Sequence, residues 1–314
     1  MPFFRAPVAV FAFKRLDLLK KTLAAAARSN GFTETPIHIF SDGPNADSPS
    51  DSREVAALRE WANKWSANHG AIVHEAITNQ GLRRSIVGGV TEVLSSCDRV
   101  VVLEEDIIVS RWFLEFMNDA LEALKERPDI FQVSGYFVPT ARRLPDTGLL
   151  RVPGSWGWGT WRRAWQWYRD DVAALLEEVR HSDPAAFDFG GAYSHLDALE
   201  RNANGTLDTW LVRWYASIFL RNGLCVYPGK SLTRNIGFDA RATNTSPSRT
   251  SSTLLRQRVA GQRIRVSVEI GAEETPEFVA ALEDFYRWQL HQWKRPSLSE
   301  RARARLNAIV SRRI

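Results

Sequence analysis

No glycine precedes Gly31. A dinucleotide-binding turn and a P-loop both need glycines at the first strand-to-helix turn, so that backbone amides can approach phosphate, and both are therefore excluded. Cysteine is scarce too. Cys97 and Cys225 can build neither a disulfide framework nor a zinc site, which fits a reducing compartment. His181 and His195 have no partner at ligand spacing and read as surface or structural residues. No apolar stretch approaches the ~18 residues of a membrane span. The opening Met1-Pro2-Phe3-Phe4-Arg5 lacks the basic-then-apolar layout of a signal peptide, so a cytoplasmic protein is expected.

What is present alternates. Up to residue 135, short apolar runs (Val8 to Phe13, Ile37 to Phe40, Ala71 to Ile77, Arg99 to Leu103, Ile130 to Val133) are separated by segments with apolar residues at helical spacing. That order predicts an α/β fold, a layered sheet with helices on both faces. Residues 136–170 read as loop-rich and aromatic, with Gly154-Ser155-Trp156-Gly157-Trp158-Gly159-Thr160-Trp161 at their centre. A helix is expected over Thr209 to Leu220, a strand over Ile264 to Ile270, and helices beyond Pro276. Twelve Trp is many, and planar rings wall sugar and base sites as readily as they fill cores.

The most informative segment is Glu104-Glu105-Asp106, directly behind Val100-Val101-Val102-Leu103 and ahead of Ile107-Ile108. Three carboxylates at the tip of a buried strand must be solvated, paired or bound to a cation. A divalent metal holding a diphosphate calls for such a tip; the competing role is capping a helix that starts near Ser110. At the first turn, Phe13-Lys14-Arg15 stands where glycines are missing and suggests side-chain cations near a nucleotide.

The ordered series Val8 to Arg15, Phe40-Ser41-Asp42-Gly43, Asn79-Gln80-Gly81-Leu82-Arg83 and the acidic triplet resembles a GT-A glycosyltransferase, closest to bacterial relatives of the N-acetylglucosaminyltransferase I type. Asp208-Thr209-Trp210 and the run from Pro228 to Asp239 extend the likeness to roughly residues 6 to 245. The resemblance implies a GT-A-like Rossmann-type layered mixed sheet over 1–245, with 1–135 as the nucleotide-sugar-binding half and 136–245 as the acceptor-binding half. Residues 246–314 would be a mainly helical C-terminal extension. It further implies Mn2+ or Mg2+ on Asp106, bridging the phosphates of a UDP-sugar, with Glu104 near the ribose or sugar. Glu105 stands where the relatives carry Asp and is counted with the donor-binding residues. Arg15 would lie near phosphate or base, and Asp42 would accept from base or ribose. Arg83 and Arg84 would reach phosphate or stand solvated at a helix start. In a sugar enzyme Trp156, Trp158 and Trp161, alternating with Gly157 and Gly159, suggest a wall for donor or acceptor rings, with Trp158 counted among the donor-binding residues.

Asp208 is the expected general base, which deprotonates an acceptor hydroxyl during inversion, with Asp197 and Asp239 as runners-up. On pattern alone Asp208 could equally cap the helix beginning at Thr209. Many relatives end the 234–239 block with a small residue, Thr and His; here Ala242-Thr243-Asn244 stands instead, so no His contribution is expected. The expected reaction moves a sugar, N-acetylglucosamine or a similar hexose, to a hydroxyl of a glycan or lipid-linked saccharide acceptor. The alternatives are a sugar-phosphate nucleotidyltransferase, disfavoured by the missing Gly-rich loop, and a non-catalytic glycan-binding relative. From Arg287 to Arg313 there are eight Lys or Arg against one acid, and Arg301, Arg303, Arg305, Arg312 and Arg313 can form a cationic amphipathic helix. Such a helix packs on its own domain or lies peripherally on the inner membrane face. No basic–aromatic module accompanies the charge, so nucleic acid is not an expected partner.

Overall fold

The computed structural model describes residues 5–239, 253–267 and 271–294. The polar linker at 246–252, the 242–244 block and the basic segment 301–313 lie outside the described residues. The first half follows the expected alternation: β1 (Val8–Ala12), α1 (Leu16–Ala26), β2 (Ile37–Ser41), α2 (Pro49–His69), β3 (Ile72–Glu75), α3 (Gly81–Ser96) and β4 (Arg99–Glu104). These strands pair in parallel in the order β3-β2-β1-β4. Parallel neighbours require crossover helices, and right-handed crossovers fix the faces. Two steps outward from β1 put α1 and α2 on one face, and the return from β3 to β4 puts α3 on the other. Strands covered on both sides are apolar throughout, as Val8–Ala12 and Val100–Leu103 are.

The chain continues through β5 (Ile107–Val109), α4 (Phe113–Ala123), β6 (Ile130–Ser134), β7 (Thr147–Leu150), β8 (Trp158–Trp161), α5 (Arg162–Trp165), α6 (Val172–His181), α7 (Pro184–Phe187), α8 (His195–Ala203), α9 (Trp210–Phe219), β9 (Leu224–Pro228), β10 (Thr233–Asn235) and α10 (Pro276–Lys294). The main sheet has eight strands in the order β3-β2-β1-β4-β8-β6-β9-β7, and β5 and β10 form a separate ribbon. The expected layered mixed sheet with helices on both faces is the observed architecture.

The expectation of loop over 136–170 is corrected. Trp158–Trp161 is a central strand, antiparallel to both β4 and β6. Its glycine serves close packing rather than a turn: a Cβ on Gly159 would come 2.9 Å from the Val100 carbonyl oxygen and 3.0 Å from Met117. Trp158 points to the opposite face, fully buried, with its ring stacked on Trp210 at 4.9 Å and tilted against Trp165 at 5.8 Å. It is therefore a core residue and not a wall of a donor site. Trp158→Ala is expected to lower unfolding free energy by about 3–5 kcal/mol, measured by denaturant titration. A loss below about 1 kcal/mol would contradict the core assignment.

At the far edge, α10 docks on β7. Leu149 N donates to Thr275 Oγ1 at 2.9 Å, Arg151 N donates to Glu274 Oε1 at 2.8 Å, and the buried Phe278 meets Phe137 at 4.9 Å. Ile264 to Ser267 do not form the expected strand, and 268–270 lie outside the described residues. No described helix is long and apolar enough to cross a membrane.

His195 proves structural. Its ring lies between Tyr193 at 4.5 Å and Tyr215 at 4.7 Å, and its buried Nε2 has no hydrogen-bond partner. Burial pushes its pKa down to about 3. The unfolded chain therefore binds the extra proton between pH 6.5 and 3, and the folded chain loses stability as pH falls through that window. Acidification from pH 7 to 5 should destabilise the wild type by about 2 kcal/mol more than His195→Phe, read from paired melting curves. Equal slopes would refute the buried neutral imidazole.

Candidate active site

The carboxyl ends of β1, β2 and β4 lie side by side, with Ala12 opposite Ser41 and Phe11 opposite Glu104. Parallel strands present their ligand-binding loops at this edge. Here Glu104, Glu105 and Asp106 leave β4, Arg15 precedes α1, Asp42 follows β2, and the N-terminus of α3 closes the row.

The triplet's members are held differently. Glu105 accepts from Phe13 N at 2.9 Å and from Arg15 Nε at 2.7 Å, while its backbone carbonyl accepts from Thr22 Oγ1 at 2.6 Å. Arg15 Nη2 donates to Asp106 Oδ2 at 2.7 Å, so one guanidinium spans both carboxylates. Asn235 Nδ2 lies 3.4 Å from Asp106 Oδ1, and Ile236 N donates to the Asp106 carbonyl at 2.9 Å. Glu104 is half-buried and takes no hydrogen bond or ion pair from the described residues. Burial pushes the Asp106 and Glu105 carboxyls up in pKa while Arg15 pulls against it. Burial, and then the charges of Asp106 and Glu105, push Glu104 up to about 8.

The segment Arg234 to Asp239, part of the run that extends the family likeness, begins within strand β10. It pairs antiparallel with β5 through Thr233–Val109, Arg234–Ile108 and Asn235–Ile107. The turn follows, and Gly237 N donates to Asn235 Oδ1 at 2.7 Å. A Cβ on Gly237 would collide with Asp106 Oδ2, so glycine is required by that close approach. Asp239 is near enough for its charge to oppose that of Asp106. Asp197 faces solvent on the first turn of α8.

Asp42 is buried and builds the turn into α3. Its Oδ1 accepts from Gly43 N and Gln80 N at 2.8 Å each; its Oδ2 accepts from Gly81 N at 3.0 Å and Asn79 Nδ2 at 3.2 Å. Four bonds use the acceptor sites of a carboxylate, so Asp42 positions residues 79–81 rather than facing a base or ribose. Two residues into that helix, Arg83 Nε donates to Asp208 Oδ1 at 2.5 Å and Nη1 to both oxygens of Asp170 at 2.8 Å. Arg83 thus pairs with acids where a phosphate contact was expected. Arg84, one residue on, is exposed and has no side-chain partner among the described residues.

The chain of bonds Asp42–Gly81 and Arg83–Asp208 brings the expected base to the same edge as the triplet. Asp208 does not cap α9: Thr209 does, its Oγ1 accepting from Leu211 N at 3.3 Å. Arg213 Nη1 shares Asp208 Oδ1 at 3.2 Å, and the side chain is 59% exposed, so Oδ2 stays available to a hydroxyl. Sequence reasoning missed Asn235, Asp170 and Arg213, whose roles depend on contacts across the fold. Of the three tryptophans expected to wall the site, Trp158 and Trp161 are core. Trp156 is the half-buried one, against Tyr136 at 4.5 Å and Phe238 at 5.6 Å, and Phe238 is two residues from the Asp106 contact of Ile236.

Among the described residues no three His, Cys, Asp or Glu side chains converge into a self-sufficient metal cage. Asp106 Oδ1, with only a long contact to Asn235, and the unpartnered Glu104 instead suit a hard cation that draws most of its oxygens from phosphate and water. The donor set fits a divalent ion arriving with a diphosphate.

No family model matches the chain, and no curated protein matches it. Many solved structures show loose likeness, among them these three. The mannosyltransferase PcManGT from Pyrobaculum calidifontis, in complex with GDP-Man and Mn2+, has 12% identity and a TM-score of 0.39, covering 70% of each chain. TarS of S. aureus has 14% identity and a TM-score of 0.31, with 45% of this chain matched to 24% of that one. GalNAc-T7, with UDP, GalNAc and Mn2+, has 11% identity and a TM-score of 0.46, with 81% of this chain on 47% of that one. The chain therefore spans about a quarter of TarS and about half of GalNAc-T7. Likenesses this loose do not decide chemistry.

Proposed function

We propose that the protein is a metal-assisted, inverting glycosyltransferase of the GT-A type. The observation that supports it is the division of labour at the carboxyl edge. Asp106 presents a cation site needing phosphate oxygens, with Glu104 beside it, and Asp208, held by Arg83 and Arg213, presents a carboxylate oxygen to solvent. Asp106 would hold Mn2+ or Mg2+ against the diphosphate of a UDP-sugar, where the ion stabilises charge on the departing nucleotide. Arg84 would meet phosphate, and Glu104 the ribose or sugar. Asp208 would take the proton of an acceptor hydroxyl as it attacks the anomeric carbon, and of the three tryptophans Trp156 would remain as the aromatic wall. The sugar is a hexose or N-acetylhexosamine, and the acceptor a glycan or lipid-linked saccharide. Cytoplasmic location, with contact to the inner membrane face through 301–313, belongs to the same proposal.

Arg15 gives the reading a specific consequence. Its guanidinium compensates the acids now, so a cation must share Asp106 with it or displace it. Calorimetric titration of UDP should show binding that tightens at least about tenfold when Mn2+ is added. UDP binding indifferent to Mn2+, Mg2+ and chelator would refute a metal-assisted donor site.

A further inference from the structure

Behind the ribbon lies a groove of about 670 Å³ between α1 and the outer face of β5–β10. The ribbon's inner residues Ile107, Val109, Thr233 and Asn235 are buried, whereas Ile108 and Arg234, paired across it, face the groove. Opposite them stand two exposed cations, Lys21 on α1 and Arg28 in the turn that follows it. Leu18, Ala24, Ile108 and Ile236 supply an apolar floor between these cations.

The charges here are unevenly satisfied. Lys21 and Arg28 have no hydrogen bond or ion pair among the described residues. Arg234 donates once, from Nη1 to the Leu255 carbonyl at 3.4 Å, and its buried Nε has no partner. The acids at the rim, Asp17 and Asp239, each have a partner already. Lys21, Arg28 and Arg234 have no ion pair among the described residues, and an anion in the groove would supply one. Guanidinium and ammonium groups around an apolar floor match a phosphoryl group attached to hydrocarbon better than a fully hydrated free anion.

We propose that this groove binds a phosphoryl anion carried on an apolar chain, the head of a lipid-linked phosphate, with Lys21, Arg28 and Arg234 as its cationic contacts. Ile236 lies on the groove floor while its backbone N–H holds the Asp106 carbonyl, so the bound phosphate sits on the reverse side of the metal-site turn. If the chain is a transferase, the groove anchors a lipid-linked acceptor beside the donor. The groove's affinity itself does not depend on that.

The test is calorimetric titration of the full chain with octyl phosphate, methyl phosphate and inorganic phosphate, with UDP plus Mn2+ titrated in parallel. Octyl phosphate is expected to bind at least about tenfold more tightly than either short phosphate. The exposed double variant Lys21→Glu/Arg28→Glu should weaken it by about tenfold or more and leave UDP binding unchanged. Equal affinity for all three phosphates would replace the lipid-linked ligand by free phosphate and overturn the proposal. Undiminished octyl phosphate binding in the double variant would overturn the site. Loss of UDP binding with groove binding retained would count against the transferase reading alone.

Discussion

Asp106→Asn is expected to lower nucleoside diphosphate release from a nucleotide sugar by about 10²- to 10³-fold, the scale of losing one preorganised electrostatic contact to a departing anion. The same change should leave the thermal midpoint unchanged or raised. Glu105 and Asp106 share one guanidinium, Glu104 is near enough for its charge to oppose theirs, and burial already disfavours the charged forms of all three. Neutralising one carboxylate relieves that repulsion, and Asn can still accept from Arg15. Activity and stability therefore separate, as expected where a costly charge is kept for function. A variant that loses activity and melts well below the wild type would make Asp106 a structural partner of Arg15 instead. Full turnover would remove it from the metal site.

Asp208→Asn should lower sugar transfer by about 10²- to 10⁴-fold, the usual contribution of a positioned general base, with Mn2+–UDP binding intact. Its ion pairs complicate the reading, since Arg83 and Arg213 both hold Asp208. Asp170 supplies the control. It pairs with the same two arginines, Arg83 Nη1 at 2.8 Å and Arg213 Nε at 3.6 Å, but is given no part in the reaction. Asp170→Asn should keep activity within about threefold, the scale of an exposed ion pair. Equal losses in the two variants would mean that the arginines matter and the base lies elsewhere, with Asp239 next to be tried.

The parallel half of the sheet was legible because buried parallel strands are continuous apolar runs and their crossover helices are amphipathic; both are local patterns. The acidic triplet was legible because charge after such a run is anomalous. What it binds within the chain was not: Arg15 is far from Asp106 in sequence, and only the turn after β1 brings its guanidinium across both carboxylates. Asp42 stood as a ligand contact only through the family likeness, since an acid before Gly43-Pro44 is by itself a turn former, which is the role it takes. Trp158 misled for a different reason. Alternating glycine and tryptophan reads as loop, yet Gly159 is small because Val100 and Met117 press against it, and Trp158 is large because α5 and α9 leave room. The ribbon strands β5 and β10 hold three residues each, too few for any period to register.

The central claim is that a sugar leaves a nucleoside diphosphate at Asp106. Its most direct test is to incubate the full chain with Mn2+ and a panel of UDP-, GDP- and CMP-sugars, with chelator controls, and quantify the released nucleotide by chromatography. Release of UDP from a UDP-sugar that depends on metal and is lost in Asp106→Asn is the predicted result. Pyrophosphate formed from a nucleoside triphosphate and a sugar phosphate, with no nucleoside diphosphate from any donor, would contradict it.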